Sequence, residues 1–308
     1  MKVFVTGVAG QLGHDVMNEL AKRDYEGIGS DITPEYSGIA DGSAVTRMPY
    51  VSLDITKQAF VEAVLKKYEP DIVVHCAAWT AVDMAEEDDK VEKVYAVNAL
   101  GTENIAKVCK ELNCKMVYLS TDYVFDGQGS EPWLPDCMDF KPLNIYGKTK
   151  LEGERAVSEN LDKYFIVRIA WVFGASGNNF IKSMLNIGKK REEVRVVNDQ
   201  IGTPTYTFDL ARLLVDMIGT DRYGYYHVTN EGGYISWYDF ACEIFRQAGY
   251  TTKVVPVTTK EYGLSKAVRP SNSRMDKSKL TENGFVPLPS WQDALARYLE
   301  EIEYQNQR

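Results

Sequence analysis

The sequence predicts an α/β chain: a Rossmann-type, doubly wound parallel sheet carrying a smaller C-terminal α/β lobe. Three observations lead there. Short β-rich runs alternate with helical patterns through the first half of the chain. The apolar runs are unbroken rather than alternating, as in Ile72-Val73-Val74, which suits strands covered on both faces. The first run ends in a glycine-rich turn that leads into a helix.

Taken in order, Lys2–Val5 reads as the first strand, followed by the glycine turn and a helix reaching about Lys22. Glu26–Asp31 and Tyr50–Leu53 read as the next two strands, and Lys57–Tyr68 as an amphipathic helix. Asp71–His75 reads as a buried strand, Asp89–Leu112 as helix and Lys115–Ser120 as strand. Tyr146–Asn160 is predicted helical and Tyr164–Ile169 extended. After about residue 172 the rhythm changes. Helices near Asn179–Lys190, Phe208–Ile218 and Ser236–Ala248 are joined by loops and by short strands such as Tyr225–Val228 and Lys253–Val257. Ser236 with Asp239, and Ser290 with Asp293, have capping-box spacing and mark helix starts. The expected division is residues 1–172 as a dinucleotide-binding domain and 173–308 mainly as a substrate lobe, with room for later segments to return to the first domain. A cleft between the two is the expected ligand site.

Composition narrows the function. Among 308 residues, 44 are acidic and 35 basic, a net charge of −9. A nucleic-acid binder would show a basic face, so that class is disfavoured. No apolar run reaches the roughly 18 residues of a membrane span. Lys2-Val3-Phe4-Val5 runs straight into the glycine turn without the pattern of a signal peptide. The five cysteines are odd in number and contain no C-x-x-C. A disulfide framework or zinc site is therefore not expected, and a reducing cytoplasm is.

Thr6-Gly7-Val8-Ala9-Gly10-Gln11-Leu12-Gly13 has G-x-x-G-x-x-G spacing between strand and helix. Gly7, Gly10 and Gly13 permit a tight turn and a close backbone approach to a pyrophosphate, which the helix N-terminus then receives. Asp31 ends the second strand 18 residues after Gly13, where an acid is expected to accept hydrogen bonds from the adenosine ribose. The same charge repels a 2′-phosphate, and no Arg or Lys follows before Arg47. NADH is therefore the expected cofactor and NADPH the alternative.

Tyr146-Gly147-Lys148-Thr149-Lys150 is the most informative stretch. Spacing of four puts Tyr146 and Lys150 on one helix face. A free phenol titrates near pH 10 and is a poor acid at neutrality, and a neighbouring ammonium is expected to lower that value. Thr121, 25 residues upstream at the carboxyl edge of a strand, is the expected third member, with a hydroxyl for the substrate oxygen. Ser120 is its competitor, and strand alternation points the two to opposite faces.

These residues, with Ala77-Ala78 and Asn98, resemble the extended short-chain dehydrogenase/reductases. Four blocks sharpen the match: Ala77-Ala78-Trp79-Thr80-Ala81-Val82-Asp83, Ser120-Thr121-Asp122-Tyr123-Val124-Phe125-Asp126-Gly127, Arg168-Ile169-Ala170-Trp171-Val172-Phe173-Gly174 and Asn198-Asp199-Gln200-Ile201-Gly202-Thr203-Pro204-Thr205. Together they resemble the dTDP-4-dehydrorhamnose reductase family over nearly the whole chain.

The resemblance implies reduction of a C4 ketone on a dTDP-deoxyhexose, with Thr121, Tyr146 and Lys150 catalytic. It implies that Gln11 and Leu12 lie under the pyrophosphate, that Asp54 and Ile55 bracket the adenine, and that Ala77, Ala78 and Trp79 line the cofactor. Substrate contacts are implied for Thr121, Asp122, Trp171, Asn179, Gln200, Thr203 and Arg269. It leaves Mg²⁺ open, and it leaves open whether the chain is a monomer or a homodimer. No local motif holds a metal. Three rivals share the fold. A 4,6-dehydratase has Thr-Asp-Glu where this chain has Thr121-Asp122-Tyr123, so its eliminating carboxylate is missing. A 4-epimerase retains and regenerates its cofactor. A non-catalytic regulatory subunit has no need of an intact Thr121, Tyr146 and Lys150.

Overall fold

In the computed structural model, which describes residues 1–40 and 42–306, seven parallel strands form one sheet. They include β1 (Lys2–Thr6), β2 (Glu26–Asp31), β3 (Tyr50–Ser52), β4 (Ile72–His75), β5 (Lys115–Thr121) and β6 (Tyr164–Ile169). The seventh is Gly224–His227, which pairs with β6. From one edge to the other the order is Gly224–His227, β6, β5, β4, β1, β2, β3. The order reverses between β1 and β4, so a crevice opens at their carboxyl ends.

Helices cover both faces. On one side, α1 (Gln11–Lys22) packs with a later helix, Thr207–Ile218, over a core including Val3, Val5, Val16, Leu20, Leu210 and Leu214. On the other, α2 (Gln58–Tyr68), the helical run 91–111 and α5 (Ile145–Asn160) cover Phe4, Val73, Met116, Tyr118 and Ile166. The predicted helix 89–112 is a compound of α3 (Val91–Tyr95), a π-helical turn Ala96–Leu100, and α4 (Gly101–Glu111). The wider turn sets Asn98 in the middle of this run.

The lobe has its own aromatic core. Phe173 and Tyr206, from the paired short strands Val172–Phe173 and Thr205–Tyr206, are buried with Phe240 of the helix Trp237–Ala248 and with Trp291 and Tyr298 of the last helix, Trp291–Asn306, against α6 (Phe180–Gly188). Both predicted caps are present. Ser236 and Asp239 exchange both bonds of a capping box, and Ser290 Oγ accepts from Asp293 N at 3.3 Å.

One segment past residue 172, where the expected division left room for a return, lies against the first domain. Residues 207–228 leave the lobe: Thr207–Ile218 packs on α1, Asp15 accepts from Thr207 Oγ1 at 2.5 Å, and Gly224–His227 extends the main sheet. Strand pairing across about 60 residues leaves no mark in local pattern, which is why this return shows only in the fold. Among the described residues, no helix is long and apolar enough to cross a membrane.

Candidate active site

A cleft of about 880 Å³ runs along the carboxyl ends of β1, β2, β4 and β5 and is closed on one side by the lobe. Its first wall is the glycine turn. Gly7 has φ +73°, and a Cβ there would lie 2.6 Å from Ala77 N. A Cβ on Gly13 would lie 2.3 Å from Gly7 O. The loop thus sits directly against the end of β4, and α1 sits directly against the loop. Gly10 caps α1 without a side-chain acceptor, which leaves first-turn N–H groups for an anion. Gln11 and Leu12 also line this wall.

Asp31 lies at the far end. Its Oδ2 accepts from Ala9 N at 3.0 Å and its Oδ1 from Ile32 N at 2.8 Å, so the carboxylate is fixed beside the glycine loop. Asp54 and Ile55 line the same end. Asp54 Oδ1 accepts from Thr56 N (3.0 Å) and Thr56 Oγ1 (2.7 Å). The only cations among the lining residues are Lys93 and Lys150, and the residues gathered around Asp31 and Asp54 include none. The turn, the donor-rich helix start and the carboxylate beside the loop fit a dinucleotide cofactor.

Ala77, Ala78 and Trp79 form the middle of the wall. Asn98 holds this segment by two bonds, Oδ1 accepting from Trp79 N at 2.8 Å and Nδ2 donating to Trp79 O at 3.1 Å. Its Nδ2 also reaches Thr149 Oγ1 at 3.1 Å, which ties the wall to α5. Sequence reasoning gave Asn98 no role, since only the π turn brings it there.

Thr121, Tyr146 and Lys150 all line the cleft. β5 and the first turns of α5 carry them. Asn144 caps α5, accepting from Gly147 N at 2.8 Å. The strand alternation holds: Ser120 Oγ donates to Glu154 Oε1 at 2.5 Å, while Thr121 Oγ1 faces the cleft turn and Asp122.

The charge relationship differs from the expectation that Lys150 lowers the Tyr146 phenol. Burial pushes that phenol up, and the Thr121 hydroxyl, not Lys150, holds it down. Lys150 is itself buried, with its Nζ 4.1 Å from the Tyr118 ring centroid. Burial lowers it to about 7, partly offset by Glu154 and Cys76. Spacing of four sets the common face but leaves open where a flexible ammonium rests.

The expected substrate contacts divide. Asp122 and Trp171 line the cleft. Trp171 takes the left-handed backbone (φ +50°) and stacks on Trp237 with centroids 3.8 Å apart. Trp237 also lines the cleft, and no spacing in the sequence marked it. Asn179, Gln200, Thr203 and Arg269 do not line it. Asn179 caps α6 and donates to Gln11 Oε1, Gly174 O and Tyr298 Oη at 2.9–3.1 Å. Gln200 donates to Thr259 Oγ1, and Thr203 to Gly233 O, both at 3.0 Å. Gln200 and Thr203 serve the packing of the lobe, and Asn179 also ties α6 to the first turn of α1. Arg269 stands beyond the lining, bonded to Asp83 Oδ2 at 2.6 Å and facing Tyr123 Oη at 3.4 Å.

His75 bridges Thr6 Oγ1 (2.7 Å) and Thr102 Oγ1 (3.1 Å), so it is a satisfied core residue rather than an acid for the cleft. Among the described residues no three His, Cys, Asp or Glu side chains gather as a metal site would.

Fold and glycine loop define the class: a nicotinamide-dependent oxidoreductase built on a short-chain dehydrogenase sheet. Within it, residues 1–304 match the family model described as RmlD substrate binding domain. The chain belongs to the dTDP-4-dehydrorhamnose reductase family. It is 38% identical to a spore coat polysaccharide biosynthesis protein of Bacillus subtilis, over 97% of each chain. It is 39% identical to a dTDP-4-dehydrorhamnose reductase of Streptomyces griseus, over 95% of this chain and 91% of that one. A dTDP-4-dehydrorhamnose reductase of Bacillus anthracis, solved in complex with NADP, superposes with a TM-score of 0.87 at 40% identity, over 98% of this chain and all of the other.

Proposed function

We propose that this protein reduces the C4 ketone of dTDP-4-dehydro-L-rhamnose to give dTDP-L-rhamnose, a sugar nucleotide for polysaccharide assembly. The observation that carries the reading is the convergence of Thr121, Tyr146 and Lys150 on one cleft beside the glycine loop, in a chain of this family. A bound reduced nicotinamide supplies the hydride. Tyr146 gives its phenolic proton to the oxygen that becomes the alcohol, the Thr121 hydroxyl supports the phenolate left behind, and Lys150, one turn along α5, lines the same cleft. Thr121 orients the same oxygen. Asp122, Trp171 and Trp237 bound the sugar side of the cleft.

NADH is the proposed cofactor. Asp31 stands at the ribose end beside the glycine loop, with Asp54 toward the adenine, and no lining cation accompanies them. The NADP complex of the Bacillus anthracis relative makes this the part of the reading most open to direct test. No metal is assigned to the reaction, and a cytoplasmic monomer or homodimer acting on a small-molecule substrate completes the proposal.

The test is consumption of NADH or NADPH by the purified protein with dTDP-4-dehydro-L-rhamnose, for the native chain and for Tyr146→Phe. Loss of the general acid is expected to lower kcat by about 10²–10⁴-fold while NADH binding persists. Absence of turnover with both cofactors overturns the reading. Turnover by Tyr146→Phe equal to the native rate overturns the role of Tyr146.

A further inference from the structure

Thr121 caps the short turn Asp122–Val124: its Oγ1 accepts from Tyr123 N at 3.2 Å and donates to Asp122 Oδ1 at 3.0 Å. A threonine hydroxyl has one hydrogen and two lone pairs. An ionised carboxylate only accepts, so beside an ionised Asp122 the single Thr121 hydrogen is spent, and none remains for the Tyr146 oxygen or for a substrate oxygen in the cleft. A neutral Asp122 reverses the bond. Its O–H then donates to Thr121 Oγ1, Tyr123 N fills the second lone pair, and the Thr121 hydrogen is free for the Tyr146 oxygen, which it meets here, or for a substrate oxygen that takes that place. Every donor and acceptor of Thr121 is then used.

The site favours the neutral acid. Asp122 is 2% exposed and lines the cleft, and its Oδ2 makes no hydrogen bond of normal geometry. Ser273 stands near enough to ease its ionisation, as does Thr121, but no cation offsets the burial. The phenols of Tyr123 and Tyr146 are the titratable groups that face it, one from its own turn and one from α5. Arg269, the nearest guanidinium to Tyr123, is paired with Asp83. Burial moves the Asp122 carboxyl up to about 6.

We propose that Asp122 is a positioning residue that enters turnover as the neutral acid and turns Thr121 into a hydrogen-bond donor to the substrate carbonyl oxygen. Thr121 and Tyr146 then supply two donors to the oxygen on which negative charge develops. The inference rests on the reductase reading above and deepens it.

Two measurements test it. The first is the pH profile of kcat/KM. In the native protein it falls as pH rises through the Asp122 value, with a slope of one proton. In Asp122→Asn, which stays neutral and keeps an N–H donor for Thr121, that limb is lost, and activity at pH 8 remains within about tenfold of the native maximum. A limb unchanged in Asp122→Asn, or a variant that is folded but at least 10³-fold slower at every pH, overturns the proposal.

The second is thermal stability and needs no substrate. The folded value of about 6 lies above the unfolded 3.8, so the stabilising contribution is present below pH 3.8 and is lost as pH rises through 6. The Tm of Asp122→Asn minus that of the native chain is therefore expected to grow from pH 4 to pH 7. A constant difference overturns the proposal. If the native chain turns over no dTDP sugar, the reductase reading fails, while the thermal measurement still decides whether Asp122 is held neutral.

Discussion

Arg168 and Glu154 form a two-pronged ion pair with neither side chain more than 1% exposed: Nε to Oε1 and Nη2 to Oε2 are both 2.8 Å. The guanidinium also lies within 5.1 Å of the Phe125, Phe140 and Tyr225 ring centroids and donates to Pro135 O. Glu154 is one turn of α5 beyond Lys150 and takes the Ser120 hydroxyl as well. The pair therefore clamps α5, β5 and β6 together directly behind the cleft.

Breaking that pair from one side strands a charge in the core. Glu154→Gln and Arg168→Met are each expected to cost about 3–5 kcal/mol, while the double change Glu154→Leu with Arg168→Met is expected to cost less than either alone. Urea unfolding of the three variants checks this. A double variant weaker than both singles contradicts it.

The glycine turn makes a graded prediction. A methyl on Gly13 meets the Gly7 carbonyl oxygen at 2.3 Å, which backbone cannot yield without moving the loop, whereas on Gly10 the same oxygen is 3.2 Å away. Gly13→Ala is expected to lose roughly 1–3 kcal/mol of stability, and its NADH affinity is expected to fall by about tenfold or more, or 1.4 kcal/mol. Gly10→Ala is expected to lose less of both. Fluorescence titration with NADH and thermal melts give the ranking, and equal effects at the two positions count against it.

Asp31 is expected to govern cofactor choice. Asp31→Ser removes the charge that opposes a 2′-phosphate while keeping a small polar side chain beside Ala9 N. The ratio of kcat/KM for NADPH to that for NADH is expected to rise about tenfold, or 1.4 kcal/mol. An unchanged ratio places the discrimination elsewhere in the cleft.

The fold is expected to be acid-sensitive through His75. Burial, with a smaller push from Lys150, lowers its imidazole to about 3. Because the unfolded value is near 6.5, its contribution is complete above pH 6.5 and drains away as pH falls toward 3, by on the order of 3 kcal/mol at pH 4. Burial lowers His227 as well, in the same direction. His75→Gln should flatten the curve of unfolding free energy between pH 7 and pH 4. A slope equal to the native one removes His75 as its source.

Local pattern made a large part of this protein legible. The strands β1 to β6 and the helices around them follow apolar runs and periodicity. The glycine turn follows from residue spacing next to a strand. The common face of Tyr146 and Lys150 follows from helical geometry, and the opposed aims of Ser120 and Thr121 from the pleat. Each of these depends on neighbours within a few residues.

What the tertiary structure decided depends on partners far along the chain and on loss of water. Gly224–His227 joins β6 because pairing is set by edge geometry, across a separation that no window of sequence contains. Asn179, Gln200 and Thr203 have side chains suited to a sugar, yet packing of the lobe engages their hydrogen bonds first. Lys150 rests over Tyr118, and the Asp122 carboxyl rises, because burial costs a charge more than spacing can reveal. The sequence by itself determined that the glycine loop, Asp31, Thr121, Tyr146 and Lys150 meet at one cleft; desolvation and long-range contacts decided which other groups join them and the charge and direction in which they stand there.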